Sequence, residues 1–135
     1  MLRGLTTISY WTDDLDAARA WYVGLLGIEP YFVVPGGGYI EFRIGDYQHE
    51  LGLIDRRYAP AGQPSEPGGA VMYWHVDDLH GSYERLLAMG ASPYQEPTTR
   101  GEGFVTAAVV DPFGNVLGIM YNQHYLDILA AKTNA

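Results

Sequence analysis

The chain has 135 residues, of which 47% are hydrophobic, enough apolar material for one domain with a buried core. Its formal net charge of -8 disfavours binding to nucleic acid or to anionic membranes. It contains no cysteine, which excludes disulfides, thiolate metal ligands and a cysteine nucleophile. The sequence shows neither a long apolar stretch nor a basic N-terminus followed by an apolar segment, so we expect a cytoplasmic protein.

The first half of the sequence predicts a strand, a helix and three further strands. Residues 6–11 are predicted as a strand, and Asp13 or Asp14 is suited to accept hydrogen bonds from the first amides of the helix that follows. Gly27 is the expected end of this helix, because glycine adopts the left-handed conformation without steric cost. The apolar face of the helix is formed by residues spaced three and four apart, Leu15, Ala18, Tyr22 and Leu25. Strands are then predicted at 31–34, 39–44 and 47–54.

The second half predicts the same order of elements. A strand at 71–76 precedes a helix at 78–89, and a weak strand near Tyr94 follows. Strands at 104–110 and 115–121 enclose a turn. Residues 56–69 are rich in Pro, Gly and Ser and are predicted to form a linker, and residues 124–132 a short C-terminal helix.

An internal repeat links the two halves. The Asp-Asp-Leu sequence at 13–15 matches the one at 77–79, and Leu-Gly-Leu-Ile at 51–54 matches Leu-Gly-Ile-Met at 117–120. We therefore predict a single α+β domain over residues 1–135, built from two tandem βαβββ modules. The modules are predicted at 1–55 and 70–121, with the linker at 56–69 between them and a C-terminal helical segment at 122–135.

Several motifs in order carry a family resemblance. They are the Asp-Leu helix starts, Trp21-Tyr22 followed by Leu25-Leu26-Gly27, and Asp-Pro-Phe-Gly-Asn at 111–115. Over residues 1 to about 121 the chain resembles the vicinal oxygen chelate superfamily of glyoxalases, bleomycin-resistance proteins and extradiol dioxygenases. The resemblance implies two half-barrel modules that enclose a cavity, often with a divalent metal, and it implies a homodimer.

The resemblance also implies where the metal ligands of the family would lie. These positions are Thr7, Val71, Gly118 and, with the alignment open by two residues, either Glu50 or Gly52. At most one of them carries a strong ligand, so we expect no metal cofactor, with a divalent metal as the alternative. The glycines at positions 52 and 118 are expected to leave open space on the cavity floor.

Alternation along the strands identifies candidate binding residues on the inward face, which are Thr7, Ser9, Trp11, Glu50, Tyr73 and His75. A buried carboxylate is costly without a partner, so Glu50 is expected to meet an ion, a ligand or water. His75 stands at a strand end beside a helix cap, where a structural role competes with a functional one. Trp11 and Tyr73 are compatible with packing as well as with stacking on a ligand.

Two functions follow as hypotheses. The first is a binding protein that holds a small molecule with an aromatic part and a cationic tail, without a catalytic metal. The second is a lyase, isomerase or dioxygenase-type enzyme in which Glu50 and His75 are catalytic, with Glu50 as the general base and His75 or Tyr73 stabilising an oxyanion.

Overall fold

The computed structural model describes residues 1–134. They form two compact units, Met1–Ser65 and a second that begins at Glu66, and the boundary lies inside the predicted linker. Each unit contains one four-stranded sheet and one helix in the predicted βαβββ order, and a C-terminal helix follows in the second. The predicted α+β class and tandem modules are confirmed. Within residues 1–134, no helix is long and apolar enough to cross a membrane.

The first unit begins with strand β1 (Thr7–Thr12) and helix α1 (Leu15–Leu26). Strands β2 (Phe32–Val33), β3 (Tyr39–Ile44) and β4 (His49–Asp55) follow, and a short 3-10 helix spans Arg56–Tyr58. The sheet order is β1-β4-β3-β2, with β1 parallel to β4 and the other pairs antiparallel. The Asp14 carboxylate accepts from the Ala17 N–H at the start of α1, and Gly27 ends the helix at φ 70°.

The second unit repeats this order. Its elements are β5 (Tyr73–His75), α2 (Leu79–Ala88), β6 (Ser92–Gly101), β7 (Phe104–Val110), β8 (Val116–Asn122) and α3 (Gln123–Thr133). The sheet order is β5-β8-β7-β6, which matches the first unit strand for strand. Asp78 caps α2 as Asp14 caps α1.

Three strands differ clearly in length from the prediction, and one of them, β2, is only Phe32–Val33 where 31–34 was predicted. Strand β6 runs over ten residues where only a weak strand near Tyr94 was expected. Pro93 and Pro97 weakened the local signal, but β6 is an edge strand whose register shifts along β7 accommodate both prolines. Strand β5, predicted at 71–76, is only Tyr73–His75, although the Gly118 N–H still donates to the Met72 carbonyl.

Burial identifies the two faces of the first sheet. Tyr10 lies against Tyr22 of α1 with ring centroids 6.3 Å apart, so this face of β1 packs under the helix. The buried side chains of β3 and β4 that share this parity are Ile40, Phe42, Leu51 and Leu53. By alternation, the opposite face carries Thr7, Ser9, Trp11, Tyr39, Glu41, Arg43, Glu50 and Gly52.

The strand register confirms the internal repeat. Ser9 of β1 pairs with Gly52 of β4, and Tyr73 of β5 pairs with Gly118 of β8. Each pair joins the first and last strands of its unit, so Gly52 and Gly118 are equivalent positions. The anchor sequences therefore match because they occupy the same place in two copies of one unit.

Candidate functional site

Glu50 lies on β4, on the face of the first sheet opposite α1. The Thr7 hydroxyl donates to its Oε1 at 2.6 Å from the directly paired position of β1. Arg43, the directly paired residue of β3, places Nη2 3.8 Å from Glu50 Oε2. The side chain of Glu50 is 24% exposed, so its charge is partly desolvated; Arg43 supplies a counter-charge and Thr7 a hydrogen bond.

Glu41 supplies a second carboxylate on the same face. The Tyr39 hydroxyl donates to Glu41 Oε1 at 2.9 Å, and Arg43 Nε lies 3.4 Å from Glu41 Oε2. Burial, the hydrogen bond to Glu41 and the negative charges of Glu41 and Glu50 raise the pKa of Tyr39 from 10.0 to about 12. The phenol therefore stays protonated as a hydrogen-bond donor throughout the physiological range.

The three ionised side chains form what we call the carboxylate cluster, Glu41, Arg43 and Glu50. Two carboxylates against one guanidinium leave the cluster with a net charge of -1. The guanidinium also lies over the Tyr31 ring, with Cζ 3.7 Å from the ring centroid. The cluster can thus attract positive charge beside aromatic surface.

Sequence reasoning identified Glu50 but missed Tyr39, Glu41 and Arg43. The signal was present in the Tyr-Ile-Glu-Phe-Arg-Ile segment of β3, where polar and aromatic residues alternate with apolar ones. These residues lie beside Glu50 because β3 pairs with β4, and the residue pattern of one strand does not predict which strand it pairs with.

The space above the two equivalent glycines is filled by tyrosines. A Cβ on Gly52 would lie 2.8 Å from Cε2 of Tyr39 and 3.0 Å from its hydroxyl. A Cβ on Gly118 would lie 2.8 Å from Cδ1 of Tyr73 and 2.7 Å from the carbonyl oxygen of Met72. The prediction that these glycines leave open space is wrong, because a ring from a neighbouring or paired strand position packs over each one.

The residues at the family's metal-ligand positions do not fit a tightly held divalent ion. Gly118 and Gly52 offer no side chain and are covered, Val71 is apolar, and the Thr7 hydroxyl is engaged with Glu50, which is the alternative to Gly52 and the one carboxylate in the set. Within residues 1–134, no group of three or more His, Asp or Glu side chains is placed so that it could hold a metal ion.

His75 lies in the second unit, at the end of β5, with its side chain only 8% exposed. Its Nδ1 accepts from the backbone N–H of Asn122 at 3.2 Å, so the proton belongs on Nε2, which lies 3.1 Å from Asp77 Oδ1. The ring stacks on Tyr125 of α3 at 4.7 Å between centroids and 9° between planes. These contacts connect β5 to the start of α3, and they engage both ring nitrogens.

The remaining predicted site residues lie on β1 and β5. Ser9 and Trp11 share the face of Glu50, and Ser9 is exposed while Trp11 is half-buried. Tyr73 is 37% exposed, and its hydroxyl lies 3.4 Å from Gln95 Oε1 of β6. A binding role for these residues stays a prediction. Glu50 belongs to the first unit, and Tyr73 and His75 belong to the second.

A comparison with protein-family models identifies one family. Residues 4–119 match the family model of the Glyoxalase/Bleomycin resistance protein/Dioxygenase superfamily. Solved structures with the same fold include a glyoxalase-related enzyme from Fulvimarina pelagi, which is 22% identical with a TM-score of 0.69 and covers 90% of this chain and 90% of that chain. Curated proteins yield no significant match.

Two further solved structures carry different functional names. Lactoylglutathione lyase from Agrobacterium tumefaciens is 22% identical, with a TM-score of 0.66 over 89% of this chain and 94% of that chain. A bleomycin resistance determinant encoded on the transposon Tn5 is 22% identical, with a TM-score of 0.62 over 90% of this chain and 99% of that chain. At this identity the likeness shows the fold and leaves the activity to the site.

Proposed function

Because the chain belongs to the Glyoxalase/Bleomycin resistance protein/Dioxygenase superfamily, we propose that it uses this fold to bind a positively charged small molecule without a catalytic metal. The proposed binding surface is the face of the first sheet opposite α1, with Glu50 as its central residue. Thr7 of β1 pairs with Glu50, and Ser9 and Trp11 follow it along β1 with the same strand parity.

The observation that carries the proposal is the charge of the carboxylate cluster. Glu41 and Glu50 are only 13% and 24% exposed, and they share Arg43 as a counter-ion. A partly desolvated site with excess negative charge favours a cation over a neutral or anionic ligand. The aromatic rings of Trp11, Tyr31 and Tyr39 on or beside this face suit a ligand that also has flat apolar surface.

The enzyme hypothesis has weaker geometric support. In this hypothesis His75 would stabilise an oxyanion through an N–H donor, and its Nε2 already faces Asp77 Oδ1 at 3.1 Å. Glu50 has its Oε1 bound by Thr7 and its Oε2 facing Arg43, which suits holding a charge more than moving a proton. Binding is therefore the function that the site supports best.

The test is ligand binding by matched carboxylate variants. Thermal-shift screening with cationic aromatic compounds, including cationic glycopeptide antibiotics, should find a ligand that stabilises the wild-type protein. Glu50→Gln should weaken its binding about tenfold or more, since it removes a charge-assisted contact while preserving shape. Glu29→Gln is the control, because Glu29 pairs with Arg19 at 3.7 Å but is 75% exposed.

Three results would contradict the proposal. One is the absence of stabilisation by any cationic compound. Another is equal binding by wild-type and Glu50→Gln protein. The third is a stoichiometric transition metal in elemental analysis of the purified protein that disappears in Glu50→Ala, since this would make Glu50 a metal ligand.

Assembly and location complete the proposal. We propose a homodimer, as the family resemblance implies, and a location in the cytoplasm. Light scattering at micromolar concentration should give twice the mass of one chain, and a monomer would refute the dimer.

A further inference from the structure

Arg43 already presents a cation to the two carboxylates of the proposed site. It is the β3 partner of Glu50 in the strand register, and Glu41 lies two residues earlier on the same face. Its Nε faces Glu41 Oε2 and its Nη2 faces Glu50 Oε2. The guanidinium therefore stands where a bound cation would meet both carboxylates.

These contacts are loose. The short bonds to the carboxylates come from neutral hydroxyls, at 2.6 Å from Thr7 and 2.9 Å from Tyr39, and both go to Oε1 atoms. Arg43 contacts the Oε2 atoms at 3.4 and 3.8 Å, longer than the roughly 2.7–2.9 Å of a strong charge-assisted hydrogen bond. The Arg43 side chain is 37% exposed, so an incoming cation can reach the guanidinium and replace it at the carboxylates.

Tyr31 gives Arg43 a partner that does not depend on the carboxylates. The guanidinium carbon lies 3.7 Å from the centre of the Tyr31 ring, and Tyr31 is 66% exposed. A cation–π contact of this kind can hold the guanidinium while another cation takes its place at the carboxylates.

We propose that Arg43 is a built-in competitor for the ligand, and that the ligand presents a flat guanidinium or amidinium group that exchanges with it at Glu41 and Glu50. This inference rests on the proposed function. A planar cation with several N–H donors can face two carboxylate oxygens on one side, whereas an ammonium group acts as a point charge. Arg43 thus determines how strongly, and with which shape of cation, the site binds.

Three small probes and three variants test the inference. Benzamidine carries a flat amidinium, benzoate has nearly the same shape with the opposite charge, and benzylamine carries an ammonium. Each is titrated, with binding followed by NMR, into the wild type and into Arg43→Gln, Glu50→Gln and Arg56→Gln. Arg56→Gln is the matched control, because Arg56 is also partly exposed, at 34%, and pairs with Asp13 at 3.1 Å in the same unit.

The inference predicts the direction in which each variant changes the affinity for benzamidine. Benzamidine should bind about two- to fivefold more tightly to Arg43→Gln than to the wild type, because its competitor is gone. Arg56→Gln should leave its affinity within about twofold, because a surface charge outside the site acts only through a screened field. Glu50→Gln should bind benzamidine more weakly than the wild type does, and benzylamine should bind more weakly than benzamidine.

Each contrary outcome has a separate meaning. If Arg43→Gln binds benzamidine as the wild type does, or more weakly, Arg43 does not compete with the ligand. If Arg56→Gln tightens benzamidine binding as much as Arg43→Gln does, the effect comes from net charge alone. If benzoate binds the wild type and Arg43→Gln abolishes this binding, Arg43 is an anion receptor. If benzylamine binds as tightly as benzamidine, the site has no preference for a flat cation. If benzamidine binds no variant while other cations still depend on Glu50, the inference fails and the proposed function stands.

Discussion

A methyl group added at position 118 would meet backbone, whereas one added at the equivalent position 52 would meet the end of a side chain. On Gly118 the new Cβ would lie 2.7 Å from the Met72 carbonyl oxygen and 2.9 Å from Cγ1 of Val71. On Gly52 its nearest neighbours would be Cε2 and the hydroxyl of Tyr39, at 2.8 and 3.0 Å. Gly118→Ala and Gly52→Ala therefore make the same chemical change at equivalent positions against different obstacles.

The two substitutions should differ in cost. Gly118→Ala must push β5 away from β8, including the hydrogen bond from the Gly118 N–H to Met72, and overpacking of this kind costs about 2–3 kcal/mol. Gly52→Ala only has to rotate the Tyr39 ring and weaken its hydrogen bond to Glu41. Since alanine also restricts the unfolded chain, we expect a net loss of about 1 kcal/mol or less.

Urea unfolding measures this difference. Gly118→Ala should lower the midpoint by about 1 M more than Gly52→Ala does, at an unchanged slope. In double-mutant cycles, Tyr39→Leu should relieve part of the cost of Gly52→Ala, whereas Tyr73→Leu should relieve little of the cost of Gly118→Ala, because the Met72 carbonyl remains. Equal midpoints of the two variants would refute the claim that backbone opposes the methyl group at position 118. Full recovery of the stability lost in Gly118→Ala by Tyr73→Leu would refute it as well.

Three further predictions follow from single groups. The pKa of tyrosine is near 10 in an unfolded chain, whereas the pKa of Tyr39 is about 12 in the folded protein. The free energy of unfolding should therefore fall as the pH rises from 10 to 12, and it should fall less steeply in Tyr39→Phe. Equal slopes of the two proteins in alkaline urea titrations would count against this. His75→Phe keeps a ring to stack on Tyr125 but loses the bond from Asn122, so the loss should be about 1–2 kcal/mol with faster hydrogen exchange of the Asn122 amide; unaltered exchange would contradict it. Asp111 is buried, and its Oδ1 accepts hydrogen bonds from two backbone N–H groups. Asp111→Ala should therefore lower the free energy of unfolding by about 2–4 kcal/mol, as measured by calorimetry. A loss below about 1 kcal/mol would contradict a structural role of Asp111 in this turn.

Features that depend on neighbouring residues in the chain were predictable from the sequence. An Asp cap, an apolar stripe at spacings of three and four and a terminal glycine predicted α1. The structure confirms the cap at Asp14 and the end at Gly27, and it buries Ala18 and Tyr22 of the stripe. Alternation placed Thr7, Trp11 and Glu50 on one face because a strand presents its side chains to opposite sides. The internal repeat could be recognised because both units have aspartate at the start of their first helix and glycine in their last strand.

Features that depend on contacts between distant strands were decided by the tertiary structure. The pairing of β3 with β4 sets Arg43 opposite Glu50 and brings Glu41 and Tyr39 beside it, so one predicted carboxylate became a cluster. The glycines, expected to leave room, are covered by rings from elsewhere in the sheet. His75 acquires its backbone donor from Asn122, 47 residues along the chain. A pattern within one segment states which way a side chain faces, but the strand register and the packing of the unit determine what it meets there.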